Sequence, residues 1–169
     1  MGFTALDGLP MGTRCGQLDP GVVLYLIEQK GMKPRDVEGL LYRQSGMLGL
    51  SQVSSDFRDL LASNDPHAQF AISVFCYRVA REIGSLAAAL GGLDGIVFTA
   101  GVGENAVAIR AAICGACEWL GVALDEQANT ANGPRISENS SRVAAYAIPT
   151  NENLMIARHA RTVALAGFG

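Results

Sequence analysis

The feature that most constrains the fold is a short apolar segment that leads directly into a glycine-containing turn. Residues 96–99 read Ile-Val-Phe-Thr, which is typical of a strand buried on both faces of a parallel sheet. Residues 101–105 then contain two glycines, and a helical pattern covers residues 107–120. Glycine lets the backbone approach a ligand closely, and the first N–H groups of a helix attract anions. The segment therefore predicts an anion site at the carboxyl end of a strand, or a tight turn that binds nothing.

Other segments place this strand in an α/β sheet domain. The longest helix is predicted over residues 65–90, with a buried face formed by Phe70, Val74, Tyr77, Ile83 and Leu86. Strand, helix, strand and helix then follow one another, which indicates a single α/β domain over residues 1–169. The remaining expectations are helices over residues 19–30, 33–43, 54–60 and 152–165, a second strand over 143–148, short extended pieces at 2–4 and 11–14, a helix break at 45–50 and a polar connection over 125–140.

Composition limits the kinds of partner. With 49% hydrophobic and 17% charged residues, the chain is not a disordered one. Its net charge of -3 gives no basis for binding nucleic acid or an anionic membrane surface, so any phosphate must be held by local donors. The apolar stretch 70–90 contains charged residues and does not read as a membrane span, and no signal peptide is expected.

The cysteines and histidines offer no evident reactive site. Cys114 and Cys117 form a C-x-x-C pair, which is compatible with a metal or redox site, but no second ligand pair accompanies it. Core thiols in a reducing cytoplasm are the favoured interpretation. His67 and His159 are isolated, and the sequence shows no Ser-His-Asp, Cys-His or metal-ligand spacing.

A dinucleotide site is one alternative for the glycine segment. Gly101, Gly103 and Ala106 fit the G-x-G-x-x-A fingerprint, and Asp125 follows a possible strand over residues 121–124. This pattern predicts a nicotinamide- or flavin-binding Rossmann domain. Against it, a long and mostly helical stretch precedes the fingerprint, and the polar run after Asp125 does not continue a doubly wound sheet.

Three places carry side chains suited to anions or metals. Arg14 lies between Gly12 and Gly16, where a guanidinium can be presented to a phosphate or carboxylate as a fork. Residues 56–58 read Asp-Phe-Arg at a helix start, and Glu152 lies in the first turn of a helix. Each has a simpler interpretation: a solvated arginine, an N-cap with a surface ion pair, and a carboxylate that complements the helix dipole.

Several segments, in order, resemble motifs of the acetate kinase family. They are Gly2-Phe3-Thr4 with Met11-Gly12-Thr13-Arg14-Cys15-Gly16, Asp19-Pro20, Ser45-Gly46-Met47-Leu48-Gly49, Ser54-Ser55-Asp56-Phe57-Arg58-Asp59, Phe98-Thr99-Ala100-Gly101-Val102-Gly103-Glu104-Asn105 and Pro149-Thr150-Asn151-Glu152-Asn153-Leu154. The resemblance covers nearly the whole chain. Cys15 departs from the serine expected between Arg14 and Gly16.

The resemblance implies the C-terminal, nucleotide-binding lobe of an actin/hexokinase/Hsp70-like (ribonuclease H-like) fold. It implies that Arg14 steadies the transferring phosphoryl group and the acetate carboxylate, and that Glu152 helps to hold Mg²⁺. The nucleotide site would be lined by Asp56, Phe57, Arg58, Gly101, Val102, Gly103, Glu104 and Asn105. A β-carbon at either glycine is then expected to obstruct the nucleotide.

The implied reaction transfers a phosphoryl group between ATP and acetate, giving acetyl phosphate and ADP. Propionate or butyrate as the acid is the enzyme alternative, and a homodimerisation or nucleotide-binding module without catalysis is the alternative of another class. The family's earlier lobe and its H-x-G-x-G phosphate hairpin do not occur in the sequence. The lobe is therefore expected to be incomplete on its N-terminal side and inactive alone, because phosphoryl transfer needs groups from several directions.

Overall fold

The computed structural model of the chain describes residues 2–166. In chain order its elements are α1 (Pro20–Glu28), α2 (Pro34–Arg43), α3 (Gly46–Ser51), α4 (Phe57–Ala62), α5 (Pro66–Leu90), β1 (Gly95–Phe98), α6 (Ala100–Asn105), α7 (Val107–Ala116), a 3₁₀ turn (Glu118–Leu120), α8 (Glu126–Thr130), β2 (Ala144–Ala147) and α9 (Glu152–Ala166). This order confirms the predicted alternation of strands and helices. None of the helices described is long and apolar enough to cross a membrane.

Aspartate caps fix the start of several helices. The side chains of Asp19, Asp56 and Asp65 each accept a hydrogen bond from the N–H group two residues further on, at the starts of α1, α4 and α5. Such a cap satisfies a donor that has no partner inside the helix. At the other end of α5, Gly91 has a φ of 73°, a left-handed conformation that glycine adopts readily. These boundaries agree with the sequence prediction.

The region around residues 45–50 differs from the prediction. It does end α2, but residues 46–51 form α3 rather than a break. The main-chain oxygens of Met11 and Gly12 accept hydrogen bonds from Met47 N and Leu48 N at 2.9 Å, and so replace a side-chain cap. Residues 2–4 and 11–14, which were predicted to be short extended pieces, form bends and no strand. The polar connection 125–140 also contains a helix, α8.

The strands β1 and β2 pair in parallel, with Ile96 opposite Ala145 and Phe98 opposite Ala147. These four side chains are buried, whereas Val97 on the other face is 55% exposed. The prediction of a strand buried on both faces was therefore wrong. The reason is that, within residues 2–166, helices cover only the face that carries Ile96 and Phe98.

The helix α5 packs against α3, α4 and α7. It joins a core cluster around β1, β2 and α7 to a smaller one formed by Met47, Leu60, Ala68 and Ala71, and Phe57, Ile72 and Phe75 contact both. The face predicted to be buried was wrong in part, since Phe70, Tyr77 and Leu86 are more than half exposed. α5 is apolar around most of its circumference, so periodicity alone does not select the buried side.

The last helix, α9, buries none of its described side chains. Large apolar residues point to solvent along its length, including Ile156 at 66% and Val163 at 72% exposure. Together with Val97 on the open face of β1, this helix exposes large apolar side chains, and exposed apolar patches commonly mark sites of association.

We therefore expect the chain to self-associate, because association would remove this apolar surface from water. Light scattering over a concentration series should show a mass that rises above that of the monomer. The double variant Ile156→Lys, Val163→Lys should reduce the associated fraction, and Arg158→Lys on the same helix should leave it unchanged. A monomer at every concentration would contradict the expectation.

Candidate functional site

A cleft of about 750 Å³ opens between the start of α4 and α6. Its walls combine a charged pair, apolar side chains and exposed backbone, contributed by Ser55, Asp56, Phe57, Arg58, Leu61, Gly101, Val102, Asn105 and Ala106. The two contributing segments are far apart in sequence, and the fold brings them together. Most of the residues predicted to line a nucleotide site therefore share one cavity.

On the α4 wall, Asp56 aligns Arg58. Oδ1 of Asp56 accepts hydrogen bonds from Arg58 N at 2.8 Å and from Arg58 Nε at 3.1 Å, and Oδ2 accepts a further bond from Nη2. Hydrogen bonding to the Arg58 side chain lowers the pKa of Asp56 to about 2. The Arg58 side chain is 89% exposed and lines the cleft. The guanidinium donors that Asp56 does not use are therefore accessible to an anion.

The apolar part of the cleft is set by Phe57. Its ring meets the ring of Phe75 edge to face, with centroids 4.7 Å apart, so α4 is held against α5. Leu61, one turn further along α4, and Val102 of α6 also line the cavity. A flat apolar ligand group beside an anionic group is the chemistry that these walls match.

The two glycines of α6 have different surroundings. A β-carbon on Gly101 would meet nothing within 4 Å, whereas one on Gly103 would lie 3.1 Å from the carbonyl carbon of Phe98. Gly101 therefore leaves cleft space open, and Gly103 is required by the close packing of α6 on the end of β1. The predicted turn is also a short helix, since residues 100–105 form α6.

Glu104 does not line the cleft, and its carboxylate links α6 to the turn before α9. Its Oε1 accepts hydrogen bonds from Ala100 N at 2.8 Å, Thr150 N at 2.8 Å and Thr150 Oγ1 at 3.0 Å. The bond from Thr150 N is the largest cause that lowers the pKa of Glu104. Gly103 and Glu104 have these structural contacts and do not line the cavity, and their nucleotide contact stays a prediction.

Arg14 and Glu152 lie outside the cleft lining. Arg14 is half-buried in the loop before α1, with Nη1 3.7 Å from the sulfur of Met11. This loop adjoins the cleft, because a β-carbon on Gly12 would come within 2.9 Å of Ser55 O. Glu152 lines a separate shallow depression at the start of α9.

Glu152 is the carboxylate that the sequence predicts for a metal ion, and its surroundings decide whether it is available for that role. The capping bond at α9 comes from Asn151, whose Oδ1 accepts from Leu154 N at 2.9 Å. The Glu152 carboxylate is thus not the helix cap. No group of three or more metal-binding side chains occurs within residues 2–166. Mg²⁺ commonly takes one or two carboxylates together with phosphate and water oxygens, so a single glutamate fits such an ion when phosphates accompany it.

The C-x-x-C pair consists of core thiols, as predicted. Cys114 and Cys117 are free and buried, and Cys76 lies in the same core cluster. Burial raises the pKa of Cys114 to about 12 and also raises the pKa of Cys117. Thiols with such pKa values are neither reactive nor good metal ligands at neutral pH.

Sequence reasoning missed Arg110, whose side chain is fully buried on α7. Its guanidinium donates to the carbonyl oxygens of Gly103 at 3.0 Å and Glu104 at 2.8 Å, at the end of α6. The signal was present, because Arg110 shares the helical spacing of the buried residues Ile113, Cys114 and Cys117.

Asp125, the acidic residue that a dinucleotide site would need, serves instead as a helix cap. Asp125 accepts a hydrogen bond from Ala128 N at 2.9 Å and caps α8. Residues 121–124 contribute only isolated bridges, at Val122 and Leu124, and form no strand. The geometry thus gives no support to the Rossmann alternative.

A protein-family model for the acetokinase family matches residues 1–158. The chain belongs to the acetokinase family. Among curated relatives, the acetate kinase of Rhodopseudomonas palustris is 62% identical over 169 residues, which is 99% of this chain and 42% of that protein. The acetate kinase of Nitrobacter hamburgensis is 56% identical over 98% of this chain and 41% of that protein. This acetokinase-family chain thus spans well under half the length of these relatives.

Solved structures agree with this assignment. The acetate kinase of Porphyromonas gingivalis matches with a TM-score of 0.89 and 38% identity, over 96% of this chain and 42% of that one. A propionate kinase from Francisella tularensis matches with a TM-score of 0.86 and 38% identity, over 92% of this chain and 41% of that one. The predicted actin/hexokinase-like α/β lobe is confirmed for this acetokinase-family chain by these likenesses.

The two glycines of α6 should respond differently to the same substitution. Gly103→Val places a branched side chain against the backbone of β1, and overpacking of this kind costs about 1–3 kcal/mol. Gly101→Val points into open space and should change stability by less than about 0.5 kcal/mol. Denaturant unfolding of both variants measures the difference. Equal stability of the two would show that α6 does not depend on the contact with Phe98.

The Glu104–Thr150 link should weaken in acid. Because the folded-state pKa of Glu104 is lowered from 4.5, the link is complete above that pH and is lost as the pH falls through the lower folded value. The amide proton shift of Thr150, followed by NMR, should titrate with a midpoint below 4.5, and Glu104→Gln should abolish this titration. A midpoint at or above 4.5, or a titration that persists in Glu104→Gln, would contradict the assignment.

Proposed function

We propose that this chain is the nucleotide-binding lobe, a single domain over residues 1–169, of a kinase that transfers the terminal phosphoryl group of ATP to acetate. The products are acetyl phosphate and ADP, and the reaction is reversible. The observation that carries the proposal is the cleft in which residues 55–58 and 101–106 meet. Membership of the acetokinase family supports the same reaction.

The cleft has the two kinds of surface that a nucleotide requires. Phe57, Leu61 and Val102 supply an apolar wall for a base. Arg58 supplies a charge-assisted donor that is already oriented by Asp56. Because the net charge of the chain is -3, local donors of this kind must provide the attraction for phosphate.

The residues outside the cleft have proposed roles at the phosphate end. Arg14 steadies the transferring group and the acid carboxylate, from a loop that adjoins Ser55. Glu152 is the carboxylate that would help to hold Mg²⁺, and the Glu104–Thr150 link fixes the turn from which it projects. When it is bound, the metal ion would neutralise part of the negative charge on the phosphates.

Propionate is the second candidate for the acid. The structural match to the Francisella tularensis propionate kinase is nearly as good as the match to the Porphyromonas gingivalis acetate kinase, with TM-scores of 0.86 and 0.89.

The family likeness and the exposed apolar surface of α9 and β1 support a homodimer formed through this lobe. Free cysteines throughout the described chain support a reducing, cytoplasmic location.

The proposed function is tested by titrating the 169-residue chain with ATP, ADP and NAD in the presence of Mg²⁺, using calorimetry. ATP and ADP should bind and NAD should not. Acetyl phosphate formation should not be measurable, because one lobe supplies too few of the groups that stabilise the transferring phosphoryl group. Arg58→Ala should weaken ADP binding by about 10- to 100-fold, the usual loss for a hydrogen bond to a charged group.

The controls separate the cleft from the rest of the surface. Gly101→Val should weaken ADP binding without loss of stability, and Arg43→Ala, on the exposed side of α2, should leave binding unchanged. Preferential binding of NAD would overturn the proposal, as would ADP affinity that is insensitive to Arg58→Ala and Gly101→Val. Turnover close to that of a full-length relative would overturn the view that this lobe is incomplete for catalysis.

A further inference from the structure

The α6 wall of the cleft is held only in part by burial. None of the side chains of α6 is buried, although Gly101, Val102 and Asn105 line the cavity. A six-residue helix has little stability of its own in water. Val102 packs on the core and Gly103 packs on the end of β1, and polar contacts at the two ends of α6 complete the support of this wall.

Glu104 makes the contact at the start of α6, through Ala100 N. Arg110 makes the contact at its end. The Nη1 group of Arg110 donates to the carbonyl oxygens of Gly103 and Glu104, which have no partner within so short a helix. The same guanidinium reaches the 129–132 turn, which comprises the end of α8 and the two residues after it, and there Nε donates to Asn129 Oδ1 at 2.7 Å.

The remaining donors of Arg110 are also used. Nη2 donates to Asn129 O at 2.9 Å and to Asn132 Oδ1 at 2.7 Å, so all five N–H groups of the guanidinium have acceptors. These acceptors are carbonyl and amide oxygens, and no carboxylate is among them. Burial lowers the pKa of Arg110, but an arginine side chain remains protonated in proteins. A buried cation that has five hydrogen bonds and no counter-charge serves to fix geometry more than to add stability.

We propose that Arg110 is a positioning residue for the nucleotide cleft. It joins the carboxyl end of α6 to the 129–132 turn, and so fixes where Gly101, Val102 and Asn105 stand on the cleft wall. This inference rests on the proposed nucleotide-binding function of the cleft. Arg110 itself does not line the cavity.

Arg110→Lys keeps the charge but replaces a five-donor fork by a single ammonium group. The amide N–H of Ala106 donates to Val102 O at the end of α6. Its hydrogen exchange should become faster by about tenfold or more, which corresponds to the loss of one hydrogen bond to a charged group. ADP affinity should fall by a similar factor. Ile113→Val, in the core one turn along α7, is the matched control: it should lower global stability without changing ADP affinity.

Two variants at Asn132 keep the test decisive if Arg110→Lys does not fold. Asn132 is exposed and has a φ of 56°, which glycine adopts readily, so Asn132→Gly removes one acceptor of Arg110 with little strain. It should speed exchange at Ala106 and weaken ADP binding by roughly threefold to tenfold. Asn132→Asp retains the acceptor. In this variant the exchange rate at Ala106 and the dissociation constant for ADP should both be at or below their wild-type values.

The outcomes are distinct. If Arg110 acted on the ligand through its charge, Asn132→Asp would weaken ADP binding because it neutralises that charge. Unchanged exchange at Ala106 in the folded variants Asn132→Gly and Arg110→Lys would overturn the positioning role. If the wild-type chain binds no ADP, the nucleotide assignment fails, and exchange at Ala106 alone decides whether Arg110 positions α6.

Discussion

Packing against α5 determines where both walls of the cleft stand. The α4 wall is held directly, by the edge-to-face contact of Phe57 with Phe75 and by burial of Leu60 in the smaller core cluster. The α6 wall is held indirectly, because α7 and β1 pack on α5 and carry the residues that anchor α6. Apolar burial thus sets the framework, and a few directed hydrogen bonds place the short segments that face the cavity.

Three carboxylates near the site show how local contacts decide chemistry. Asp56 is committed to a helix cap and to Arg58, and Glu104 is committed to three donors on α6 and the 149–151 turn. Glu152 lies in the first turn of α9, where Asn151 already provides the cap. It is therefore the one of these three whose oxygens are free of protein hydrogen bonds in the described structure, and this supports its proposed role toward a metal ion.

Much of the fold was predictable because its signals are local. Asp19, Asp56 and Asp65 mark helix starts through their own side chains, and the order of strands and helices follows from short apolar runs and glycines. Quantities that depend on distant neighbours were not predictable in this way. The exposure of Val97 depends on what covers the sheet, and the buried side of α5 depends on where α3, α4 and α7 lie.

In the site, too, local features were predictable from the sequence, and features that depend on distant neighbours were not. The candidate residues came from the family resemblance, and the structure gathers Asp56, Phe57, Arg58, Gly101, Val102 and Asn105 in one cavity. Spacing cannot distinguish Gly101 from Gly103, because the difference lies in which of them faces Phe98. Arg110 was predictable in principle from its register on α7, although its acceptors at residues 103, 104, 129 and 132 were not.

The way in which α9 is attached has a mechanical consequence. With 15 residues, this helix is about 22 Å long, and it projects from a turn that is fastened at Thr150. At that length, a rotation of about 10° at the turn sweeps the far end of the helix through roughly 4 Å, while Glu152 beside the pivot shifts by less than about 1 Å. A rotation at this turn would therefore move the outer end of α9 to fit whatever packs against it, while Glu152 would stay nearly in place.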